Sequence, residues 1–159
     1  MAASFSLEPP ARLAPAHAAA ALIHCGDGRY LLQQRDIDKN IFYPGHWGCF
    51  GGALEPGETA EQGLRRELEE ELGLVAAAYE VSSFGKIGFE LRLPGVDPFD
   101  RHYFEVLIPP EIVPKLRLAE GRAMDLVDGR KALHELRLVP YDAFALWLHF
   151  YRSMVGSSV

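Results

Sequence analysis

The amino-acid sequence predicts a mixed α/β fold in which one β-sheet lies between helices. Segments of strand type come before a central helix, more strands follow it, and a helical pattern ends the chain. The chain has 159 residues, of which 48% are hydrophobic and 24% charged, and this suits one globular domain with its own core. We therefore divide it into an N-terminal arm at residues 1–15, a single domain at 16–155 and a flexible tail at 156–159.

The first elements are predicted to be a hairpin and a loop. The apolar run AHAAAALIHC has the length of a strand, and Asp27-Gly28 favours a tight reversal into a second strand, YLLQQRD. Pro44 and several glycines interrupt IFYPGHWGCFGG, which predicts a loop that leads into one short strand at residues 47–50.

The central helix is predicted at residues 60–72. Thr59 is a favourable N-cap, and Gln62, three residues later, completes a capping box. Gly73 suits the left-handed position that commonly ends a helix.

Two further strands are predicted after this helix, because VSSFGKIGFELRL and HYFEVLIP are rich in β-branched and aromatic residues. The segment PGVDPFD separates them as a turn. Three prolines at residues 109–118 leave room only for a short helix or a loop. The segment RAMDLVD is expected to be another strand.

The C-terminal part is predicted to hold two helices. Asp128 opens a short one, and Pro140 lies near the first residue of the last one. Four apolar residues of this last helix follow helical spacing and are expected to face the core: Phe144, Leu148, Tyr151 and Val155.

Charge and cysteine content narrow the classes of function. The net charge is −6, with sixteen basic residues scattered among twenty-two acidic ones, which argues against long nucleic acid as a partner. A small anionic substrate is still compatible, because a bound divalent cation reverses the local sign of an acidic pocket. Cys25 and Cys49 are interpreted as reduced structural thiols of a cytoplasmic protein. No apolar run approaches the length of a membrane span, and no membrane partner is expected.

The segment at residues 52–74, GALEPGETAEQGLRRELEEELGL, carries the chemistry. On the predicted helix three leucines fall in an arc of about 80° that faces the core, and three glutamates fall in an adjoining sector of about 100°. These residues are Leu64, Leu68 and Leu72, and Glu67, Glu70 and Glu71. Like charges within one turn repel one another, so a cation should offset them. Clustered carboxylate oxygens suit Mg²⁺, with Mn²⁺ as an alternative.

A surface helix whose glutamates pair with Arg65 and Arg66 is the simpler interpretation of a charged run. The glycines before the helix argue against it. Gly51, Gly52 and Gly57 lie where the backbone would approach a metal site closely, and an ordinary solvated helix has no need of them.

The spacing of this segment matches the Nudix box. Gly52 is followed after five residues by Glu58 and, after seven more, by RELEEELGL from Arg66. The chain therefore resembles the Nudix hydrolase family. The resemblance implies an α/β/α sandwich and hydrolysis, by water, of a diphosphate bond in a nucleoside diphosphate linked to another moiety.

The resemblance also implies roles for the residues of the segment. Glu67 and Glu71 are expected to bind the metal, with Glu70 as a third ligand or the general base. Arg66 is expected to orient Glu67. The supporting roles fall to Glu58, which braces the loop or a water bound at the metal, and to a backbone carbonyl of Gly51 or Gly52.

Residues outside the box are assigned by weaker arguments. Some family members take their base from a downstream loop, and Glu120, which a glycine follows, is the candidate here; a plain surface role is the alternative. Aromatic side chains can stack on any nucleobase. The candidates for this role are Phe42, Tyr43, Trp47 and Tyr103.

Three functions are compatible with these residues. A nucleotide sugar or similar compound is the first expected substrate, and a nucleoside triphosphate cleaved by a house-cleaning enzyme is the second. The third is a Nudix-like domain that senses a nucleotide without cleaving it, which the complete set of box residues disfavours. A homodimer is compatible with the apolar strands.

Overall fold

The computed structural model describes residues 15–37 and 40–152. The predicted arm up to residue 14 and the predicted tail at 156–159 therefore lie outside the described residues. The elements, in chain order, are β1 (Ala18–His24), β2 (Arg29–Gln34), β3 (Trp47–Gly48), β4 (Phe50–Ala53), α1 (Ala60–Leu72), β5 (Val81–Phe89), β6 (Phe99–Leu107), β7 (Ala123–Asp128), α2 (Gly129–Glu135) and α3 (Pro140–Phe150). Short 3₁₀ segments occupy Ala76–Ala78 and Pro110–Lys115.

The strand predictions agree with these elements, apart from one start and one division. β6 begins at Phe99, within the segment PGVDPFD that is predicted as a turn. The single strand expected at residues 47–50 is two short strands, β3 and β4, which are separated at Cys49. β3 pairs with β2, whereas β4 pairs with β1, so the chain changes partners within a few residues.

β1 is the centre of the seven-stranded sheet. It pairs in parallel with β6 over its whole length, from Ala18 opposite Arg101 to His24 opposite Leu107. Its other edge is shared by two antiparallel partners, β4 beside its first half and β2 beside its last residues. β7 extends the sheet beyond β2, and β5 extends it beyond β6.

Both faces of β1 are buried, because successive side chains point to opposite sides of a strand. On one side, Ala19, Ala21 and Ile23 belong to a core cluster with Phe50 and the α1 leucines. On the other side, Ala20 and Leu22 belong to a second cluster that includes Ala145 and Leu146 of α3. The sheet therefore lies between helices, and the predicted α/β/α sandwich is confirmed.

α1 begins and ends where its local signals predict. The Thr59 hydroxyl oxygen accepts a hydrogen bond from the Gln62 backbone N–H at 3.2 Å, and the Gln62 side-chain oxygen accepts one from the Thr59 N–H at 2.9 Å. Gly73 ends the helix with φ 64°. These contacts lie within or next to the helix, so they do not depend on the rest of the fold.

The predicted inner face of α3 is wrong. Phe144 is 54% exposed, and the buried residues of the helix are Asp142, Ala145, Leu146 and His149. The helix itself carries apolar residues on nearly every side, so their spacing alone could not show which face is buried. The orientation is set by the polar anchors Asp142 and His149, and Val155 lies outside the described residues.

The anchor at the end of α3 is a buried polar cluster. His149 is fully buried, and its Nε2 lies 2.9 Å from a carboxylate oxygen of Glu105 on β6. His24 of β1 lies 3.3 Å from the same oxygen, and the Tyr30 hydroxyl is 2.7 Å from His149 Nδ1. These contacts satisfy the polar atoms inside the core and tie α3 to three strands.

No helix among residues 15–37 and 40–152 has both the length and the apolar character needed to cross a bilayer.

Candidate active site

The glutamates of α1 differ strongly in burial, although they lie within two turns of one helix. Glu71 is 6% exposed, and the Glu67 side chain is 18% exposed. The Glu70 side chain is 62% exposed, and Glu69 points to solvent. A step of about 100° per residue separates these directions. The edge of the buried face is thus occupied mainly by Glu67 and Glu71.

The environment of Glu71 disfavours its negative charge when no cation is bound. Burial, followed by the neighbouring charges of Glu67 and Glu120, raises the pKa of its carboxyl group to about 7, against the hydrogen bond that it accepts from the Gly51 N–H at 3.0 Å. A buried carboxylate among other carboxylates is the arrangement that a divalent cation would stabilise.

Gly52 allows the carboxylate of Glu67 to lie directly against β4. A Cβ atom at this position would lie 2.7 Å from the carboxylate carbon of Glu67, which is closer than such contacts allow. Gly51 has φ 130°, and a Cβ there would collide with the backbone carbonyl of Ala19. Both glycines are thus needed for the close approach of β4, β1 and α1.

Replacing Gly52 with alanine is expected to weaken metal binding by about 10- to 100-fold, because the added methyl group displaces the Glu67 carboxylate. Isothermal titration with Mg²⁺ or Mn²⁺ would measure this change. Gly85→Ala is the matched control, since its added methyl group meets no atom within 4 Å. Equal metal affinities of the two variants would contradict the role of Gly52.

Arg66 connects the loop before α1 to the glutamates. Its Nε and Nη2 donate to the two carboxylate oxygens of Glu58 at 2.7 and 3.0 Å, and its Nη1 donates to Glu67 at 2.7 Å. The hydrogen bonds from Arg66, together with one from the Glu55 N–H, lower the pKa of Glu58 to about 2. This network holds Glu67 in one orientation through charge-assisted hydrogen bonds.

The structure brings Glu120 towards the box. The loop after Pro110–Lys115 caps the end of α1, where the N–H groups of Arg117 and Ala119 donate to the carbonyls of Leu72 and Glu71. Glu120 follows directly and is exposed to solvent, close enough to raise the pKa of Glu71. Glu70 lies 3.4 Å from Arg66 Nη1. The choice of base between Glu70 and Glu120 stays a prediction.

The donor set fits a hard divalent cation. Glu67 and Glu71 supply carboxylate oxygens beside two glycines, and Glu120 and Glu70 lie at the periphery. Mg²⁺ and Mn²⁺ prefer oxygen ligands, and Mg²⁺ usually keeps free positions for water and phosphate. Ligation by the Gly51 carbonyl stays a prediction; its N–H is occupied by Glu71.

A cleft of about 610 Å³ begins at the other side of this glycine backbone. Gly51, Gly52 and Ala53 form part of its wall, and several aromatic side chains form much of the rest: Phe42, Tyr43, Phe89, Phe99 and Tyr141. The volume is within the range of pockets that bind small molecules. The carboxylates and the aromatic cleft therefore meet at β4.

The predicted aromatic contacts divide into three outcomes. Tyr43 lines the cleft, and its ring lies 5.7 Å from that of Tyr141. Trp47 packs against the core cluster under α3 and is not among the residues that line the cleft. Tyr103 was wrongly predicted to stack on a base, because it is 1% exposed and its hydroxyl group donates to Asp142 at 2.7 Å.

Sequence reasoning missed several residues of the cleft: Arg35, Phe89, Phe99, Arg101 and Tyr141. They come from β5, β6, α3 and the loop after β2, which are far apart in sequence. No local motif marks them. The PGVDPFD turn was visible in the sequence, but not the fact that its Phe99 stacks on Phe89 of β5, with ring centres 4.8 Å apart, in the wall of the cleft.

Comparison with known proteins gives matches of three kinds: a family model, curated relatives and solved structures. A family model for the NUDIX domain matches residues 14–153. The nucleoside triphosphatase NudI of Enterobacter sp. (strain 638) is 53% identical over 47 residues, which are 30% of this chain and 33% of that protein. The chain thus matches about a third of the length of its curated relatives.

Two solved structures share the fold. The MutT protein from Methanosarcina mazei Go1 has a TM-score of 0.69 and 23% identity, over 92% of this chain and all of that one (100%). The dihydroneopterin triphosphate pyrophosphohydrolase of E. coli has a TM-score of 0.68 and 23% identity, over 87% of this chain and 99% of that one. At these identities the likeness concerns the fold alone.

Proposed function

The chain belongs to the NUDIX domain family, and on this basis we propose that it is a divalent-metal-dependent pyrophosphohydrolase of small nucleotides. One observation carries the proposal. Glu67 and Glu71 converge on Gly51 and Gly52, whose backbone also borders an aromatic cleft of about 610 Å³. This arrangement supports a site for a cation beside a space for a nucleoside.

The side chains of the box suit hydrolysis of a diphosphate. A divalent cation supplies positive charge to the phosphoryl oxygens when it is bound. Glu67 and Glu71 would hold it, and Arg66 would keep Glu67 oriented from its position between Glu58 and Glu67. Glu70 or Glu120 would accept the proton of the attacking water, since both are exposed at the edge of the site.

Nucleoside triphosphates are the first candidate substrates. The 53% identity to a nucleoside triphosphatase over 47 residues supports them, although it extends over 30% of the chain. Nucleotide sugars, which the sequence favoured, are the second candidate, because the cleft of about 610 Å³ has room for a nucleoside and an attached group. A cytoplasmic location and a homodimer stay predictions.

A substrate panel with Mg²⁺ tests this proposal. The panel holds the common ribo- and deoxyribonucleoside triphosphates, nucleotide sugars and dinucleoside polyphosphates, and chromatography identifies the products. We expect a nucleoside monophosphate and pyrophosphate from triphosphates, with no turnover in excess EDTA. Tight nucleotide binding without turnover of any panel member would contradict an enzyme and support a sensor.

A further inference from the structure

Arg101 is a cation built into the wall of the cleft. It lies on β6 and lines the cleft together with Gly51, Gly52 and Tyr141, and its side chain is only 13% exposed. In the sheet, Ala18 of β1 has Ala53 of β4 on one side and Arg101 on the other. Two strand spacings separate Ala53 from Arg101, about 10 Å. This distance would place Arg101 near the base of a nucleotide whose diphosphate lies at the glutamates.

The guanidinium group of Arg101 is held rigidly. Its Nε lies 3.2 Å and its Nη2 3.1 Å from one carboxylate oxygen of Asp142, and Nε also donates to the Tyr103 hydroxyl at 3.1 Å. The other oxygen of Asp142 accepts from the Cys49 N–H at 2.9 Å. The guanidinium carbon lies 4.6 Å from the centre of the Tyr141 ring. Fixed geometry of this kind favours directional recognition over general charge attraction.

The positive charge of Arg101 is balanced by the carboxylate of Asp142, which is 3% exposed and lies 3.1 Å from the guanidinium group. The pair as a whole is therefore neutral. Burial lowers the pKa of Arg101, but the charges of Asp142, Tyr103 and Tyr141 together outweigh it and the pKa is raised overall. A neutral pair attracts a polyphosphate less than an unpaired arginine would. A guanidinium group carries five N–H donors and no acceptor. Among the described residues, Asp142 and Tyr103 take up only some of them, which leaves donors for a ligand.

We propose that Arg101 selects nucleobases that carry a carbonyl oxygen where adenine and cytosine carry an amino group. This inference rests on the proposed function. Guanine and hypoxanthine present two adjacent acceptors, O6 and N7, which an arginine can contact together, and uracil and thymine present O4. The amino groups of adenine and cytosine are donors, so they would face the donors of Arg101 without a hydrogen bond. The aromatic walls stack on every base alike, so the choice falls to the arginines of the cleft. Arg101 is the one whose guanidinium group is held in place by Asp142 and Tyr103.

Two matched pairs of substrates test this selection, ITP against ATP and UTP against CTP. The members of each pair differ at the edge that Arg101 would contact, by an oxygen in place of an amino group. We expect kcat/KM of the wild-type protein to be at least about tenfold higher for ITP and UTP, as one good arginine contact provides. Equal values within both pairs would overturn the inference while leaving the proposed function intact.

Arg101→Lys separates base selection from other roles of this residue, because lysine keeps the charge beside Asp142 but lacks the planar fork. The ITP to ATP ratio is expected to fall to about one, mainly through loss of activity on ITP. Arg130→Lys, an exposed change on α2, is the control and should keep the wild-type ratio. An equal loss on all four nucleotides would assign Arg101 to phosphate contact and overturn the inference. No turnover of any nucleotide by the wild type would overturn the proposed function and this inference together.

Discussion

Glu67→Gln is expected to lower kcat by about 100-fold or more at saturating Mg²⁺, with the fold intact. The substitution preserves shape but removes the charge that would hold the cation beside Gly52, and stabilisation of phosphoryl charge by a bound metal contributes several kcal/mol. It also leaves Arg66 Nη1, now 2.7 Å from a carboxylate oxygen, facing a neutral amide. Steady-state hydrolysis of the best panel substrate, with circular dichroism as the check on folding, measures the effect.

Glu69→Gln provides the control for this experiment. Glu69 lies on the same helix two residues away but is exposed to solvent, so its loss should change kcat by less than about twofold. Similar losses in both variants would show that the total acidity of α1, and not the placement of Glu67, controls the reaction. Full activity of Glu67→Gln would remove Glu67 from the proposed metal site.

The buried carboxyl group of Glu71 is expected to contribute a loss of stability to the metal-free protein as the pH rises from about 4.5 to about 7. The folded-state pKa of Glu71 is raised from 4.5 to about 7, so in this window the folded state keeps a proton that the unfolded chain has released. Rising pH therefore favours unfolding, and the full effect of about 3 kcal/mol is reached above pH 7. Below about pH 4.5 both states hold the proton and the effect disappears.

Glu71→Gln isolates this contribution. In EDTA the variant should exceed the wild type in unfolding free energy by about 3 kcal/mol at pH 8, and match it at pH 4.5. Mg²⁺ at a hundred times its dissociation constant should stabilise the wild type by about 2.7 kcal/mol and the variant much less. Urea denaturation at both pH values, with and without Mg²⁺, measures these differences. A variant that is less stable than the wild type at pH 8 in EDTA would contradict the strain assigned to Glu71.

The expected stability cost of the buried glutamate has a counterpart in metal binding. A site that is destabilised when empty and relieved by a cation couples folding to metal binding, and protons compete with the metal for the same carboxylate. Metal affinity should accordingly decline below the pKa of Glu71, about 7. The negative charge of Glu67, which is half-buried, is already balanced in part by its ion pair with Arg66.

Local signals predicted α1 to the residue. Thr59, Gln62 and Gly73 interact with atoms within a few positions along the chain, so their effect does not require the tertiary structure. The inward leucines and the adjoining glutamates follow from helix geometry, and Leu64, Leu68 and Leu72 are all buried as the helical wheel predicts. The wheel could not rank the three site glutamates, because burial depends on which strand lies against each position.

The aromatic residues could not be assigned to the cleft or to the core from the sequence. Tyr43 and Tyr103 are chemically alike, and both were predicted to contact a base. Tyr103 lies on β6 beneath α3, and its hydroxyl group donates a hydrogen bond to Asp142, whereas Tyr43 lies in the loop before β3 and borders the cleft. Whether an aromatic ring faces a ligand or the core depends on the element packed over it, and no pattern within either segment records that element.

The sequence by itself determined the strands, the capped helix α1 and the spacing of the acidic residues, because each depends on interactions between near neighbours in the chain. Only the tertiary structure decided that β4 brings Gly51 and Gly52 against Glu71 and Glu67. It also decided that Arg101 lines the cleft, where its guanidinium group is held by Asp142, 41 residues away in the chain. These contacts join segments that the chain separates widely. Their geometry is set by the packing of helices on both faces of the sheet, which also decides what the cleft can recognise.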